Sequence, residues 1–443
     1  MEVLLARIQF ALTIGFHFLF PPISIGLAWI LVIFETKGWR NNDESYIRIA
    51  KFFGKLLALT FAVGVATGIV MEFQFGTNWA EYSKFVGDIF GAPLAAEGVF
   101  AFFLESSFLG LYLFGRNRVS KGVHWFSGLM VAVGATISAF WIIVAGSWMQ
   151  TPAGYTIQNG RAELTSFAEA VFNPSTVIRF LHTIDSAIIM GAFFVAGISA
   201  YLILKNKQSK LMKKSLKIAI IIGLVASVLE LFPLGHEHAI QVAETQPAKF
   251  ATIEGITETT NDASLLVVGI PTYDENGNRQ IIGGIEIPGL MSALIPGDEP
   301  LKGMNEFNEE DLPPFALTFF SFHLMVGLGT FFIALMALAT FKLKGGKLYK
   351  TNWLLKVLVW STPLPLLAIE LGWIAAEVGR QPWIVYNVMR TEDAVSTIVS
   401  SGEIIFSIVM FSLIYLLLGG AYLFFLIKEV KKGPELNPKE VSV

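Results

Sequence analysis

Residues 357–383 read VLVWSTPLPLLAIELGWIAAEVGRQPW. An apolar run long enough for a helix ends in Glu370, Trp373, Glu377, Arg380 and Trp383. In water this would be an ordinary polar helix end, but the rest of the chain is not built for water. Of 443 residues, 54% are hydrophobic and only 15% charged, and the mean hydropathy is +0.60. A soluble domain carries about 25% charged residues. A membrane span needs about 20 mostly apolar residues. Working outward from the quoted helix, nine stretches qualify: 10–34, 52–75, 94–114, 122–146, 180–204, 216–234, 315–341, 353–377 and 403–428. The fold class is therefore an all-α integral membrane protein, and the quoted stretch is its eighth span.

Composition narrows the chemistry. A net charge of −3 suggests no nucleic acid or other polyanion as partner. The absence of cysteine excludes disulfides, thiolate zinc sites, iron–sulfur clusters and covalently attached haem. A transition metal would have to be held by the six histidines, the methionines or the carboxylates. Residues 1–35 are too long and too apolar for a cleaved leader and lack a small-residue cleavage site, so they read as a retained first span. No internal repeat or low-complexity segment stands out.

Lysine and arginine set the orientation. With the N-terminus outside, the inner segments are 35–51, 115–121, 205–217, 342–350 and the tail from 428; they hold 4, 3, 6, 4 and 4 basic residues, 21 of the 32. The C-terminus is then cytoplasmic. The expected organisation is six spans in 1–234, an extracytoplasmic loop over 235–314, three spans in 315–428 and a tail over 429–443. So long a loop is usually functional or disordered. SLLVVGI and RQIIGGIEI flank DENGN, whose Asn-Gly is a hairpin signal, so the loop reads as a small folded cover.

Polar residues within or near the ends of the spans are His17, Glu72, Glu97, Glu105, His182, Asp185, Glu230, His323, Glu370 and Glu377. A charge at a helix centre costs about 2.5–3.5 kcal/mol on insertion scales, so these residues should face a bundle interior, a cavity or a cofactor. With odd spans running inward, His17, Glu97, His182, Met325 and Glu377 all fall in the outer half of the bilayer, on the side of the long loop. Each alone has a plain reading. His17 could be a helix–helix hydrogen-bonding residue, although Pro21 leaves its carbonyl without the usual helical partner. Met325 could be core packing, Glu377 and Arg380 an interfacial pair one turn apart, and His236 and His238 solvated loop residues. His124 reads as an inner interface residue beside Trp125, and His323 points to a different helix face from Met325. Taken together, a His/Met pair suits a low-spin haem, while a lone histidine or carboxylate leaves an open iron position of the kind O₂ chemistry requires.

GRQPW (379–383), EFQFGTNWAEYSKFVGDIFGAPLAAEG (72–98), FFLESSFLG (102–110) and FHLMVGLG (322–329) resemble the main haem-bearing subunit of cytochrome bd-type quinol oxidases, along essentially the whole chain. The resemblance implies a quinol:O₂ oxidoreductase holding two haems b, one low-spin and one high-spin, and one haem d. Carried over by position, His182 and Met325 ligate the low-spin haem b. His17 and Glu377 ligate the two high-spin haems, with Glu97 close by as a further candidate ligand. Lys249 and Glu254 match the family's quinol-binding residues in a loop of the short type, Trp373 lies between haems, and Arg380 pairs with propionates. The chain departs from the pattern at His323, where an arginine is frequent; an arginine there favours the reduced haem, so the haem potential and the preferred quinone, ubiquinol or menaquinol, stay open. A second large membrane subunit and a small single-span subunit are the implied partners, with quinol and O₂ as substrates.

On this reading quinol is oxidised at the outer loop and protons for water come from the cytoplasm, which builds a gradient without pumping. Glu105, eight residues from Glu97 on the third span, suits a proton relay; Glu370 is a proton-handling group or a buried hydrogen-bonded acid. The alternatives are a haem-b-only oxidase of the same family or, from another class, a proton-coupled transporter, which would place its site near the midplane between repeats.

Overall fold

In the computed structural model, residues 1–297 and 299–435 are described, with the side chains of 99–101 excepted; the last part of the expected tail lies outside the described residues. The first helical stretch is α1 (Glu2–Phe18) followed directly by α2 (Pro21–Arg40). The Pro21-Pro22 pair cannot donate, and the His17 carbonyl accepts from the Phe20 N–H at 3.1 Å, a tighter turn that bends the helix. Next come α3 (Glu44–Thr77) and α4 (Ala80–Ala96). α4 runs through a π turn, Glu97–Phe102, into α5 (Phe103–Phe114). α6 (Lys121–Gln150) follows, then a small hairpin of β1 (Tyr155–Gln158) and β2 (Arg161–Leu164) and the short α7 (Phe167–Val171).

α8 (Thr176–Leu204) is the central helix of the bundle. α9 (Ser209–Leu229) passes through a second π turn, Glu230–Gly235, into α10 (His236–Thr245). Residue 235, the expected start of the outer loop, therefore lies inside a continuous helical stretch, and His236 and His238 are helical rather than loop residues. The loop that follows carries α11 (Pro247–Glu254), β3 (Leu265–Tyr273), β4 (Arg279–Ile287) and α12 (Leu290–Leu294). The expected hairpin around DENGN forms, with β3 antiparallel to β4. α13 (Phe315–Leu343), α14 (Asn352–Trp360) and α15 (Leu364–Val378) lead to a two-stranded β5 (Trp383–Val385) and β6 (Met389–Arg390). α16 (Ser401–Lys432) begins with a capping box in which Ser400 and Glu403 satisfy each other's backbone groups.

Among the described residues, eight helical stretches are long and apolar enough to cross a membrane. The remaining expected span, 94–114, is the α4–π–α5 stretch, whose α5 segment is a shorter apolar helix. The chain is mostly helical, with three two-stranded hairpins among the described residues.

Two glycines set the centre of the packing. A Cβ on Gly26 of α2 would fall 1.9 Å from the Ala187 carbonyl oxygen of α8, and one on Gly191 would fall 2.4 Å from the Gly26 carbonyl carbon. Only glycine permits this backbone approach, the small-residue device that tightens helices where lipid gives no hydrophobic drive. Around that crossing, Leu27, Leu31, Phe34, Phe53, Phe193 and Leu354 form part of the main apolar core. The long loop before α13 has its own core, where Phe250, Ile253, Leu266 and Met291 pack with Phe315 and Phe319 at the start of α13.

Candidate functional site

Glu377 ends α15 within a buried polar cluster. It accepts from Arg380 Nη2 at 2.5 Å and from Gln150 Nε2 at 3.3 Å, and Arg179 Nη2 lies 3.7 Å away. Gln150, the last residue of α6, also turns its amide oxygen to Lys249 Nζ at 3.2 Å, and Lys249 donates to the Ala376 carbonyl at 3.1 Å. The loop residue Lys249 is thus plugged against the end of α15. Three cations surround one carboxylate here. Burial first, then the neighbouring Arg179, pulls the Lys249 amine down to about 7. Glu254, buried on the same loop helix, is pushed up to about 8 by desolvation. Arg380 donates from Nε to the Trp383 carbonyl at 3.2 Å, yet its Nη1, also buried, has no partner among the described residues.

Arg179 leads, one turn on, to His182 of α8. The His182 ring packs edge-to-face on His238 at 5.3 Å. Its Nδ1 is 3.4 Å from Glu230 Oε1 without hydrogen-bond geometry, and is unpartnered among the described residues, as are Asp185 Oδ2 and Glu230 Oε2. A Cβ on Gly235 would come 4.0 Å from His182 Cε1, so the second π turn is the wall beside this ring. Met325 of α13 meets α15 at Gly372, where a Cβ would fall 2.7 Å from its sulfur. His323 is elsewhere: it stacks on Phe319 at 3.9 Å, and its ring nitrogens lie 3.1 and 3.2 Å from the carbonyl oxygens of Phe319 and Leu266.

His17 packs on α3. Its Nδ1 is 2.9 Å from Thr67 Oγ1, whose own proton goes to the Val63 carbonyl at 2.9 Å or the Gly64 carbonyl at 3.0 Å. The hydroxyl therefore accepts from Nδ1–H, which leaves Nε2 with the lone pair a metal takes. A Cβ on Gly68 would press on the ring at 3.2 Å. Near His17 on α1, Gly15 faces Glu370 of α15: a Cβ there would lie 3.6 Å from Glu370 Oε2, while Oε1 is buried and unpartnered among the described residues. Glu97 opens the first π turn and accepts from Ser138 Oγ at 2.8 Å. Glu72 and Glu105 lie within Coulombic reach of it. Glu105 is buried, with its backbone 3.0 Å from where a Cβ on Gly134 would fall. Trp373 is half-buried, one turn before Glu377.

Among the described residues no three His, Asp or Glu side chains converge as for a bare metal ion. The candidate ligands stand apart, each with a glycine or an unpartnered polar atom beside it. The orphan donors and acceptors and the positive charge at Arg179 and Arg380 suit a carboxylate-bearing cofactor, while Gly68 and Gly372 give the His17 ring and the Met325 sulfur the space they occupy. Gln150, Arg179, Thr67 and Ser138 were not read from the sequence. Arg179, one turn before His182, carried a signal in that spacing; the other three are uncharged residues with none.

The sequence profile of the family described as cytochrome bd terminal oxidase subunit I matches residues 5–434. A multi-pass helical protein with these buried groups is thus, as a class, a membrane oxidoreductase of a bacterial respiratory chain. Cytochrome bd ubiquinol oxidase subunit 1 of Bacillus subtilis (strain 168) is 42% identical over 98% of this chain and 94% of its own length. Cytochrome bd-II ubiquinol oxidase subunit 1 of Escherichia coli (strain K12) is 35% identical, with 98% of each covered. A putative cytochrome bd menaquinol oxidase subunit I of B. subtilis is 32% identical, with 99% of each covered. The solved bd oxidase of Geobacillus thermodenitrificans superposes with a TM-score of 0.90 at 30% identity, over 98% of this chain and 99% of that one. The chain belongs to the cytochrome bd terminal oxidase subunit I family and is a quinol oxidase subunit.

Proposed function

We propose that this subunit oxidises membrane quinol at its long loop and reduces O₂ to water with protons drawn from the opposite side, building a proton gradient without pumping. The observation that carries the reading is the cluster in which quinol-loop Lys249 and helix-end Glu377 share Gln150. It puts the substrate side and a candidate iron ligand into one hydrogen-bonded unit. Nine spans, with the N-terminus outside and the C-terminus cytoplasmic, place this unit and the 235–314 loop region on the outer side.

His182 and Met325 would hold a low-spin haem b; His17 and Glu377 would hold a high-spin haem b and a haem d, with Glu97 as a neighbouring ligand or proton donor. Bound there, these groups supply electron transfer and O₂ reduction. The protein's own part is positioning and proton handling. Thr67 fixes the His17 tautomer and Gly372 keeps the Met325 sulfur in place. Arg179 and Arg380 offset carboxylate charge around Glu377, and Trp373 fills the space between cofactors. Lys249 and Glu254 hold the quinol head and take up its protons. Glu105, Glu97 and Ser138 hand protons outward from the inner side, and Glu370 is a further acid on that path. The named relatives divide between ubiquinol and menaquinol, so quinol is the common substrate. Their designation as subunit 1 implies a second large membrane subunit, here extended to a small single-span one.

An absorption spectrum of the purified oxidase, oxidised, dithionite-reduced and then exposed to CO, tests the cofactor set. A far-red chlorin band that moves with CO is expected; b-type bands alone would replace haem d by a third haem b, and no haem bands would overturn the ligand assignments. Glu105→Gln should slow proton uptake and O₂ turnover together while the quinol KM holds; unchanged turnover would remove Glu105 from the path.

A further inference from the structure

The outer-loop hairpin presents an apolar face that nothing among the described residues covers. Val268 lies opposite Ile285 and Ile270 opposite Ile282. All four are exposed, at 55%, 63%, 54% and 48% respectively. Leu266 and Ile281 point the other way, into the loop core with Phe319. A two-stranded hairpin with one aliphatic face in water is at best marginal.

Its position along α13 indicates what covers it. At the turn end of the hairpin, Arg279 donates to the Pro313 carbonyl at 3.0 Å and sits 5.5 Å above the Phe315 ring, and Tyr273 packs on the same ring at 6.3 Å. At the open end, the Leu266 carbonyl is 3.2 Å from His323 Nε2. The hairpin thus runs beside the first turns of a membrane helix rather than above it. Counting back about 20 residues, the number that crosses a hydrocarbon layer of about 30 Å, from Lys342 brings the far edge of that layer to His323. Val268 and Ile285 then sit at the acyl boundary and Ile270 and Ile282 in the headgroup layer. Tyr273 and Arg279 lie where interfacial aromatic and basic residues concentrate, and the Asp274–Asn278 tip is in water. The aliphatic, aromatic and basic residues follow this depth order, with the exposed Glu286, opposite Leu266, as the exception. Beside the hairpin, Leu317, Phe320 and Leu324 of α13 are also exposed and form the lipid-facing band that the hairpin face continues.

We propose that the Val268–Ile270–Ile282–Ile285 face docks into the lipid leaflet at the Phe315 end of α13, anchoring the loop to the membrane surface. It follows from the membrane setting and the hairpin geometry alone, so it stands or falls separately from the ligand and quinol assignments. Because the chain has no cysteine, single Val268→Cys, Ile285→Cys and Asn276→Cys variants can each carry a bimane label. They would be made in the whole oxidase complex, with the unsubstituted complex as blank, and reconstituted into phosphatidylethanolamine/phosphatidylglycerol vesicles. Labels at 268 and 285 should be quenched by lipids brominated near the glycerol end of the chain and lose quenching by aqueous iodide, with the reverse at 276. Iodide quenching at 268 and 285 equal to that at 276 would overturn the proposal. So would shielding from both quenchers, which would mean that another protein chain covers the face. Ile282→Cys serves in place of either position if that variant does not assemble.

Discussion

Two buried polar clusters at opposite ends of the same bundle behave differently. Where the C-termini of α2 and α5 meet the start of α6, Glu35 is held by Arg116 and by the Tyr112 hydroxyl at 3.2 Å, and the neighbouring His124 bonds the Tyr112 carbonyl at 2.9 Å. His124, in the first turn of α6, is thus a buried member of this network. None of these side chains is left with an unpartnered buried atom among the described residues. At the other end, His182, Asp185, Glu230, Glu370 and Arg380 all carry one. An unmade buried hydrogen bond costs about 1–3 kcal/mol, and several together are not tolerated without a reason. The Glu35 cluster ties three helices together; the cluster around His182 and Arg380 keeps polar atoms that no described side chain meets.

The sharpest way to break this contrast is to remove one residue from each cluster. His182→Ala should abolish the low-spin haem b signal and lower turnover by more than the roughly 10–100-fold typical of residues around a metal ligand. Glu35→Gln should keep the full haem spectrum while costing roughly 3 kcal/mol, because Arg116 loses its buried partner; thermal unfolding followed at the haem bands reads this. An intact spectrum in the first variant, or a bleached one in the second, would reverse the roles of the two clusters.

A smaller effect is expected at Gly372→Ala, whose added methyl would press on the Met325 sulfur. Loss of the thioether should turn part of the low-spin haem b high-spin and CO-reactive, with turnover falling by about 10-fold. A normal spectrum would mean that Met325 is only core packing.

The smallest effect concerns pH. The Lys249 amine, held at about 7, is protonated below that value and cannot take a quinol proton; Glu254, at about 8, ionises only above it. Turnover should therefore rise several-fold between pH 6 and pH 8.5. Lys249→Met should remove the limb near 7 and leave the one near 8, and an unchanged profile would take Lys249 out of proton transfer.

The sequence determined the membrane class, because runs of about 20 apolar residues are a local property that lipid reads directly. It also located the unusual polar residues, since a charge within a span is costly wherever the helix goes. The loop hairpin was legible from Asn-Gly between β-branched runs. The end of the sixth span was not: the span was expected to stop at 234, yet a π turn over Glu230–Gly235 carries the helix on to Thr245. Only the tertiary structure decided which residues meet. Gln150 joins Lys249 to Glu377 from a helix end more than 90 residues away in sequence from either partner. Thr67 selects the His17 tautomer, and Gly372 earns its meaning from a sulfur on another helix. Amides, hydroxyls and glycines have no pattern of their own along a chain; their roles come from the partner that folding brings to them.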